Sequence, residues 1–240
     1  MIYHKYITIA CAKCNDRHDV PVSCGDRFCP ICSVARRGRV RYRLSQLVKL
    51  VDPPPGFNPK FITLTIPNST DLRLGVKSIM ASFRRLRQTQ FWRNYVHGGA
   101  FVIEITGKVG AYHIHIHAIV HAKFIPHSQL MKHWEAVSGG FIVWVKRIPV
   151  AAVVAYLCKY LSKCDDEHPD DRTMSDALKG VRLFQPFGSW HSCERKIPKH
   201  KGVCPKCKSS DWVVCCLPFR VWLAPDGTFN NDPGPSRLTG

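Results

Sequence analysis

The chain has 240 residues and a formal net charge of +18, since 35 Lys and Arg stand against 17 Asp and Glu. Hydrophobic residues make up 45% of the chain, which suffices for the core of one ordinary domain with small appendages and argues against general disorder. The positive charge indicates a polyanionic partner, most simply nucleic acid. An anionic membrane surface is a weaker explanation because no basic amphipathic anchor is present.

The first residues lack the long apolar run of a signal peptide, and no window reaches the length of a transmembrane helix. We therefore expect a cytoplasmic protein that does not contact a membrane. The twelve cysteines would then lie in a reducing compartment, where CxxC pairs favour zinc ligands over disulfides.

Residues 1–50 are predicted to form a zinc-binding module that ends in a basic helix. Two CxxC pairs give this module the spacing of a zinc ribbon, and a fifth cysteine could replace one of the four ligands. The five cysteines are Cys11, Cys14, Cys24, Cys29 and Cys32. A structural zinc ion would order the module and place the arginines that follow against a DNA backbone. These arginines include Arg36, Arg37 and Arg39.

The proline-rich segment 52–56 marks a boundary, and residues 58–165 are predicted to form the main domain. Strands are expected at residues 61–66, 101–106, 112–120 and 141–145, and helices at 71–95, 127–137 and 150–163. The helix over 71–95 carries a second group of arginines that we expect to bind the DNA backbone, namely Arg84, Arg85 and Arg87.

The strand over 112–120 carries three histidines in alternation, His113, His115 and His117, so their imidazoles share one face. Imidazoles stacked in this way favour a metal site. Glu104 is the only acid on the preceding strand and is predicted to lie opposite roughly residue 113, on the same face. His115 and His117 are the predicted primary ligands, and His113 is either a third ligand or a supporting group.

Two histidines and a carboxylate suit Mn²⁺, Fe²⁺ or Zn²⁺ better than Mg²⁺, although Mg²⁺ can be used when a substrate phosphate contributes oxygens. We expect Mg²⁺ or Mn²⁺ in a catalytic role. The same ligand set occurs in non-haem iron oxygenases, but the basic charge and the tyrosines farther along the chain argue against that class.

The helix over 150–163 carries Tyr156 and Tyr160 one turn apart, so both lie on one side. Lys159 and Lys163 flank them and are expected to contact a phosphate or to favour the tyrosinate. A metal on a scissile phosphate eases attack by such a nucleophile, and the phosphotyrosine product conserves the energy of the cleaved ester. The alternative is an amphipathic helix whose tyrosines only fill the core; the histidine strand favours catalysis.

Residues 166–240 are predicted to contain a second zinc-binding module, at about 190–216, and a loose tail rich in Gly, Pro and Asn. Cys204 and Cys207 form one clear ligand pair. Their partners are left open between Cys215 with Cys216 and Cys193 with His191. We therefore expect one or two structural zinc sites in the whole chain.

The order of FITLTIPN, an acidic strand, HIHIHAIV and YLCKYLSK resembles that of the HUH endonucleases, and more closely the rolling-circle replication initiator (Rep) proteins of small plasmids and phages. Residues 61–67 resemble the first motif, residues 115–117 the metal motif, and Tyr160 the nucleophile of the third. Tyr156 resembles the second tyrosine of phage gene A-type proteins and certain insertion-sequence transposases. Residues 24–32 resemble the cysteine motif that precedes the nuclease.

This resemblance covers about residues 11–163 and implies an α+β fold, a ferredoxin-like central antiparallel sheet flanked by helices. It also implies cleavage of single-stranded DNA at an origin hairpin, with a 5′-phosphotyrosine and a free 3′-OH for a host polymerase. A host helicase is expected because no Walker A motif is present. The alternatives are a single-strand transposase with the same chemistry and a non-catalytic zinc-dependent DNA-binding protein.

Overall fold

The computed structural model of the chain describes residues 2–25, 29–140, 142–167, 172–182, 184–198, 202–216, 218–223 and 229–231. Its strands are β1 (Ile2–Cys11), β2 (Arg17–Pro21), β3 (Asn58–Thr65), β4 (Val96–Lys108), β5 (Ala111–Ala122), β6 (Val143–Arg147), β7 (Phe184–Gly188), β8 (Trp212–Val214), β9 (Phe219–Leu223) and β10 (Phe229–Asn231). Its α-helices are α1 (Pro30–Leu50), α2 (Leu72–Gln88), α3 (Gln90–Tyr95), α4 (His127–Ser138), α5 (Val153–Glu167), α6 (Arg172–Ala177) and α7 (Ser189–Glu194). Among these helices, none has both the length and the hydrophobicity needed to cross a bilayer.

The chain divides into two compact units. The central unit is residues 36–198, and the terminal unit combines residues 1–35 with 199–240. This division differs from the three consecutive segments expected from the sequence, 1–50, 58–165 and 166–240. The reason is strand pairing between the chain ends, because β1 pairs antiparallel with β8 and β9 from the C-terminal region as well as with β2.

The terminal unit is built on one five-stranded sheet with the order β10-β9-β1-β2, in which β8 also pairs with β1. The side chains that are buried in the described part of this unit are small or sulfur-containing, together with one imidazole. They are His4, Ala10, Cys11, Cys29, Cys32, Ser33 and Cys204. Among the described residues this set excludes little apolar surface from water, and a metal bound by the cysteines would add to the stability of the unit.

The central unit is built on a five-stranded sheet with the order β6-β3-β5-β4-β7, and all neighbouring strands are antiparallel. The histidine strand, β5, is the middle strand. The predicted antiparallel sheet flanked by helices is therefore confirmed.

Helices cover both faces of this sheet. One face packs against α2 and α4: the rings of Phe83 and Phe101 lie 5.0 Å apart, and the Trp134 indole donates a hydrogen bond to the Thr65 carbonyl. The other face packs against α1 and α5, where Leu44 and Leu157 belong to one buried cluster with residues of β3, β4 and β5. Because side chains alternate along a strand, odd-numbered residues of β5 point to the α1 and α5 face.

The helix predicted over 71–95 is two helices, α2 and α3, separated at Thr89. The backbone of Thr89 is extended (φ −66°, ψ 148°), and its hydroxyl accepts a hydrogen bond from the Trp92 N–H at 3.2 Å. This is an N-cap, which begins a new helix where periodicity alone suggested continuity. The break turns Trp92 into the core, where it is buried.

Candidate active site

The two predicted metal ligands, His115 and His117, are each paired with a threonine of β3. In the strand register Thr65 is opposite His115 and Thr63 is opposite His117. The Thr65 hydroxyl lies 2.9 Å from Nδ1 of His115, and the Thr63 hydroxyl lies 3.1 Å from Nδ1 of His117. A hydrogen bond at Nδ1 fixes each ring and leaves Nε2 to face the site. Sequence reasoning missed both threonines, although their alternation in the FITLTIPN strand was a usable signal.

Glu104, on β4, reaches diagonally to His117. Its strand partner is His115 rather than a residue near 113, and this corrects the expected register, because residues 109–110 alone separate β4 from β5. Glu104 Oε2 lies 2.5 Å from His117 Nε2. The two residues are only 4% and 5% exposed, so each satisfies a polar group that would be costly to leave without a partner in the interior.

The other histidines of β5 have different surroundings. His113 is exposed, lies two residues beyond His115 on the same face, and sits beside Gly107. His121 is buried and accepts a hydrogen bond from the Trp190 indole N–H at 3.2 Å. Burial, with a smaller effect of nearby His97, lowers the pKa of His121 to about 4. His121 is therefore a neutral core histidine at ordinary pH.

The donor set of Glu104, His115 and His117 suits a divalent metal in chemical type. A metal about 2.1 Å from both a nitrogen and an oxygen holds them roughly 3 Å apart. Glu104 Oε2 and His117 Nε2 are therefore already close to the spacing of two ligands of one metal. Two groups of side chains in the described residues have donor atoms that all lie within 4.8 Å of one another, and both are in the terminal unit. Glu104, His115 and His117 do not form such a group.

Tyr160 is in direct contact with one of the two predicted metal ligands, His117. Its ring stacks on that of His117, with centroids 3.7 Å apart and an interplanar angle of 19°. The ring of Phe61 lies nearly parallel to both, 5.4 Å from Tyr160 and 5.6 Å from His117. Residue 160 is half-buried, so α5 brings the phenol onto the imidazoles while part of it stays open to solvent.

Tyr156 lies one turn earlier on the same side of α5 and is also half-buried. Its ring is 5.6 Å from Phe61, and its hydroxyl accepts a hydrogen bond from Lys146 Nζ at 3.5 Å. Lys146 comes from β6, which no local signal in the sequence placed near this helix. Lys159 is exposed, and the side chain of Lys163 lies outside the described residues.

The arginines expected to bind DNA fall into two groups in the fold. Arg36, Arg37 and Arg39 lie near the start of α1, and the second group lies on α2, which covers the opposite face of the sheet from the histidines. Arg84 is exposed. The other two, Arg85 and Arg87, make contacts within the protein.

These contacts occupy both guanidinium groups. The Arg85 guanidinium donates to the carbonyl of Val137 near the end of α4. The Arg87 guanidinium lies 5.0 Å from the ring centroids of Phe83 and Phe187, and burial lowers its pKa. Both side chains therefore make contacts within the fold, and of these three arginines Arg84 is the one that is both open to solvent and free to contact a DNA backbone.

The terminal unit brings eight metal-binding side chains into two groups. The first is His4, Cys24, Cys29 and Cys32, and the second is Cys11, Cys14, Cys204 and Cys207. The sulfur atoms of Cys11 and Cys207 are 3.4 Å apart, those of Cys14 and Cys204 3.6 Å, and those of Cys24 and Cys32 3.5 Å. Tetrahedral zinc with bonds of about 2.3 Å separates its sulfur ligands by about 3.8 Å, so both groups are close to that geometry.

These groups differ from the ligand pairing expected from spacing. The first CxxC pair joins the last one, Cys204 and Cys207, and does not form a ribbon with Cys29 and Cys32. The fourth member of the N-terminal group is His4, which was not predicted from the sequence; its Nε2 lies 3.0 Å from the Cys32 sulfur. In the described part of the chain, neither group includes Cys193, His191, Cys215 or Cys216.

Within the first group the thiols differ in acidity. Burial raises the pKa of Cys29 to about 12, with a further contribution from the neighbouring Cys24. Burial also acts to raise the pKa of Cys32, but hydrogen bonds from the Cys24 backbone and from His4 outweigh it and lower that pKa to about 7. Zinc binds thiolates, so loading this group would release protons.

The strongly basic charge of the chain is typical of proteins that bind nucleic acid. The family model of the replication proteins matches residues 17–137, just over half of the chain. The chain belongs to this replication protein family, which implies a DNA-binding protein that initiates replication. The match contains Glu104, His115 and His117 and ends before α5. Comparisons with curated proteins and with solved structures gave no match.

The two cysteine groups predict two zinc ions per chain, each lost independently. We expect Cys204→Ser and Cys29→Ser to remove one ion each and the double variant to remove both, because each substitution deletes a ligand of a different group. Elemental analysis of the purified, reduced protein measures this. Cys216→Ser is the matched control and keeps both ions. Retention of full zinc in Cys204→Ser, with loss in Cys11→Ser, would show that the ribbon pairing is right after all.

Proposed function

We propose that this protein is a metal-dependent, sequence-specific endonuclease and strand transferase that starts rolling-circle replication of a plasmid or phage. It cuts single-stranded DNA at an origin hairpin and retains the 5′ end as a phosphotyrosine. Membership of the replication protein family supports the biological role. The observation that carries the chemistry is the stacking of the Tyr160 ring on the His117 ring, with centroids 3.7 Å apart.

The proposed fold is that of an HUH nuclease with a ferredoxin-like sheet. The middle position of β5 in an antiparallel sheet, with α5 beside its histidines, supports this assignment. A family that acts in replication favours a replication origin as the target over the ends of a transposon.

The catalytic metal, Mg²⁺ or Mn²⁺, would be held by Glu104 Oε2 and by the Nε2 atoms of His115 and His117. It would supply polarisation of the scissile phosphate and neutralise charge that develops there. Thr63 and Thr65 hold the imidazoles through Nδ1, so the ring planes are set before the substrate arrives. His113, exposed at the open end of the row, contacts the DNA or supports the metal.

Tyr160 is the primary nucleophile. Its hydroxyl oxygen forms a bond to phosphorus as the bond from phosphorus to the 3′ oxygen breaks; the phenol gives up its proton and the departing 3′ oxygen takes one up. The ester energy is retained in the phosphotyrosine, so a later attack by a DNA hydroxyl can reseal the strand without ATP. The released 3′-OH primes a host polymerase, and a host helicase opens the duplex.

Tyr156 is the second nucleophile of a two-tyrosine enzyme. It shares the side of α5 with Tyr160, so a second cleavage can occur while the first tyrosine is occupied. Lys146 places a positive charge at its hydroxyl, the role expected from sequence for Lys159 and Lys163. Arg36, Arg37 and Arg39 contact the DNA backbone, together with Arg84.

The decisive test is a covalent adduct. Labelled single-stranded DNA from the parent element is incubated with protein and Mn²⁺ or Mg²⁺, then run on a denaturing gel. We expect an adduct that EDTA abolishes and that Tyr160→Phe reduces by at least about 10³-fold, because the nucleophilic oxygen is gone.

Tyr156→Phe is the matched control for that test and keeps the first cleavage. Tyr42→Phe, which removes a hydroxyl on α1 that donates to the Pro198 carbonyl, controls for loss of a phenol elsewhere. An adduct that survives in the Tyr156→Phe/Tyr160→Phe double variant would refute the proposal. DNA binding without an adduct in any metal would leave a non-catalytic DNA-binding protein.

A second prediction concerns the threonine that orients His115. Thr65→Val keeps the shape of the side chain but removes the hydroxyl 2.9 Å from Nδ1. We expect the Mn²⁺ concentration that gives half-maximal adduct formation to rise by about 10- to 100-fold, because groups that orient a metal-binding histidine typically contribute that much. Thr65→Ser is the matched control and keeps the wild-type metal dependence. Equal metal dependence in all three proteins would contradict the assigned role.

A further inference from the structure

One row of side chains on the edge strand β6 faces the same side of the sheet as the histidines. Trp144 is opposite Thr63 and Lys146 is opposite Phe61 in the strand register. Thr63 and Phe61 are in turn opposite His117 and Ile119 on β5. Because residues that are paired across strands share a face, Trp144 and Lys146 extend the row of site residues outward to the open edge of the sheet.

Trp144 is half open to solvent although it belongs to a regular strand. It is 49% exposed, and Phe61 contacts it edge-on, with ring centroids 6.0 Å apart and planes at 74°. One exposed apolar side chain is ordinary on a protein surface. A large exposed aromatic side chain on an edge strand is less common, because such edges promote aggregation and are usually protected by charged residues. Its position beside the site indicates that a ligand covers it.

The positive charge around Trp144 indicates which class of ligand would bind there. Lys146 is exposed on the same face of the same strand, and the chain carries a net charge of +18. A cation next to an open aromatic face suits a molecule that offers a phosphate and a flat ring together. Single-stranded DNA does this, since its bases stack on aromatic side chains while lysines follow its backbone. In a duplex the base faces are already stacked on each other and are not available.

We propose that Trp144 is the stacking platform for a base of the single strand next to the scissile phosphate, and that Lys146, whose ammonium group also donates to the Tyr156 hydroxyl, contacts the phosphate of that nucleotide. This inference rests on the proposed function, because the scissile phosphate is placed at the histidines. Trp144 is two strand positions from His117, or about 10 Å, which is near enough for one strand of DNA to contact both. The platform would orient the DNA and does not take part in bond making.

The test measures binding without cleavage. Fluorescence anisotropy with labelled oligothymidine in EDTA gives the affinity of each protein for a single strand. We expect Trp144→Leu to weaken binding by about 5- to 100-fold, the usual effect of losing one base–aromatic stack, and Trp144→Phe to restore most of it. Phe124→Leu, which changes an aromatic side chain that is 79% exposed and lies elsewhere, is the matched control and leaves the affinity unchanged.

Two further readouts separate stacking from charge and from damage to the fold. Affinity for a duplex of the same length should be the same in Trp144→Leu and wild type, because duplex bases cannot stack on the ring. Lys146→Ala should reduce the slope of log affinity against log salt by about 0.7, the value for one single-strand phosphate contact, whereas Trp144→Leu should not change it. Equal loss of single-strand and duplex binding in Trp144→Leu, or no loss of either, would overturn the proposal.

The stacking role of Trp144 and the proposed cleavage of DNA can be refuted independently. If Trp144→Leu loses single-strand affinity but the wild-type protein never forms a covalent adduct, the platform stands and the proposed cleavage is wrong. If the wild type forms the adduct and Trp144→Leu binds and cleaves like it, the platform alone is refuted.

Discussion

The register of β5 against β3 and β4 decides which residues of these three strands meet at the candidate site. It sets Thr63 and Thr65 across from the histidines on one side and Glu104 on the other, all on the same face of the sheet. A slip of one residue would turn the histidines of β5 to the opposite face, where α2 and α4 pack. The apolar residues that alternate with the histidines prevent this, because Ile114 and Ile116 are fully buried and would be exchanged for imidazoles. The hydrophobic core of the central unit is therefore what holds the polar site in place.

The terminal unit has a different physical basis. Its strands come from both ends of the chain, and the residues buried in its described part are mainly cysteines. Closing a loop between residues far apart in sequence costs chain entropy, and a small unit has little apolar surface to offset it. The group of Cys11, Cys14, Cys204 and Cys207 links the two chain ends directly, so a zinc ion there would stabilise the pairing of β1 with β8 and β9. The cysteines of this group would therefore contribute to the folding of the unit as well as to metal binding.

Local periodicity in the sequence was enough to predict the strand that carries the histidines, their shared face and the helix with its two tyrosines, whereas the antiparallel sheet was expected from the family resemblance. Periodicity could not predict the contacts that depend on the order of strands in the sheet. Thr63 and Thr65 contact the histidines because β3 lies beside β5, and Lys146 reaches the Tyr156 hydroxyl from β6, which lies beside β3. The zinc ligands could not be paired for a similar reason: the chain has more cysteines than two groups use, and the correct partners are almost two hundred residues apart. Periodicity predicted one continuous helix over 71–95, but the chain forms two helices that meet at Thr89. The hydroxyl of Thr89 accepts a hydrogen bond from the Trp92 N–H, and this cap favours the start of a new helix over extension of the first.

Phe61 shows how the core and the site depend on each other. Its ring is fully buried and lies against His117, Tyr156, Tyr160 and Trp144. Close packing leaves such a ring little freedom, so the planes of the surrounding rings are fixed by shape as well as by hydrogen bonds. The polar partners, Glu104 and the two threonines, hold the imidazole nitrogens, whereas Phe61 holds the distance between the imidazole and the phenol. A change at Phe61 would therefore act on the geometry between Tyr160 and His117 without removing any polar group of the candidate site, and the same residue that stabilises the fold would limit where the Tyr160 phenol can lie.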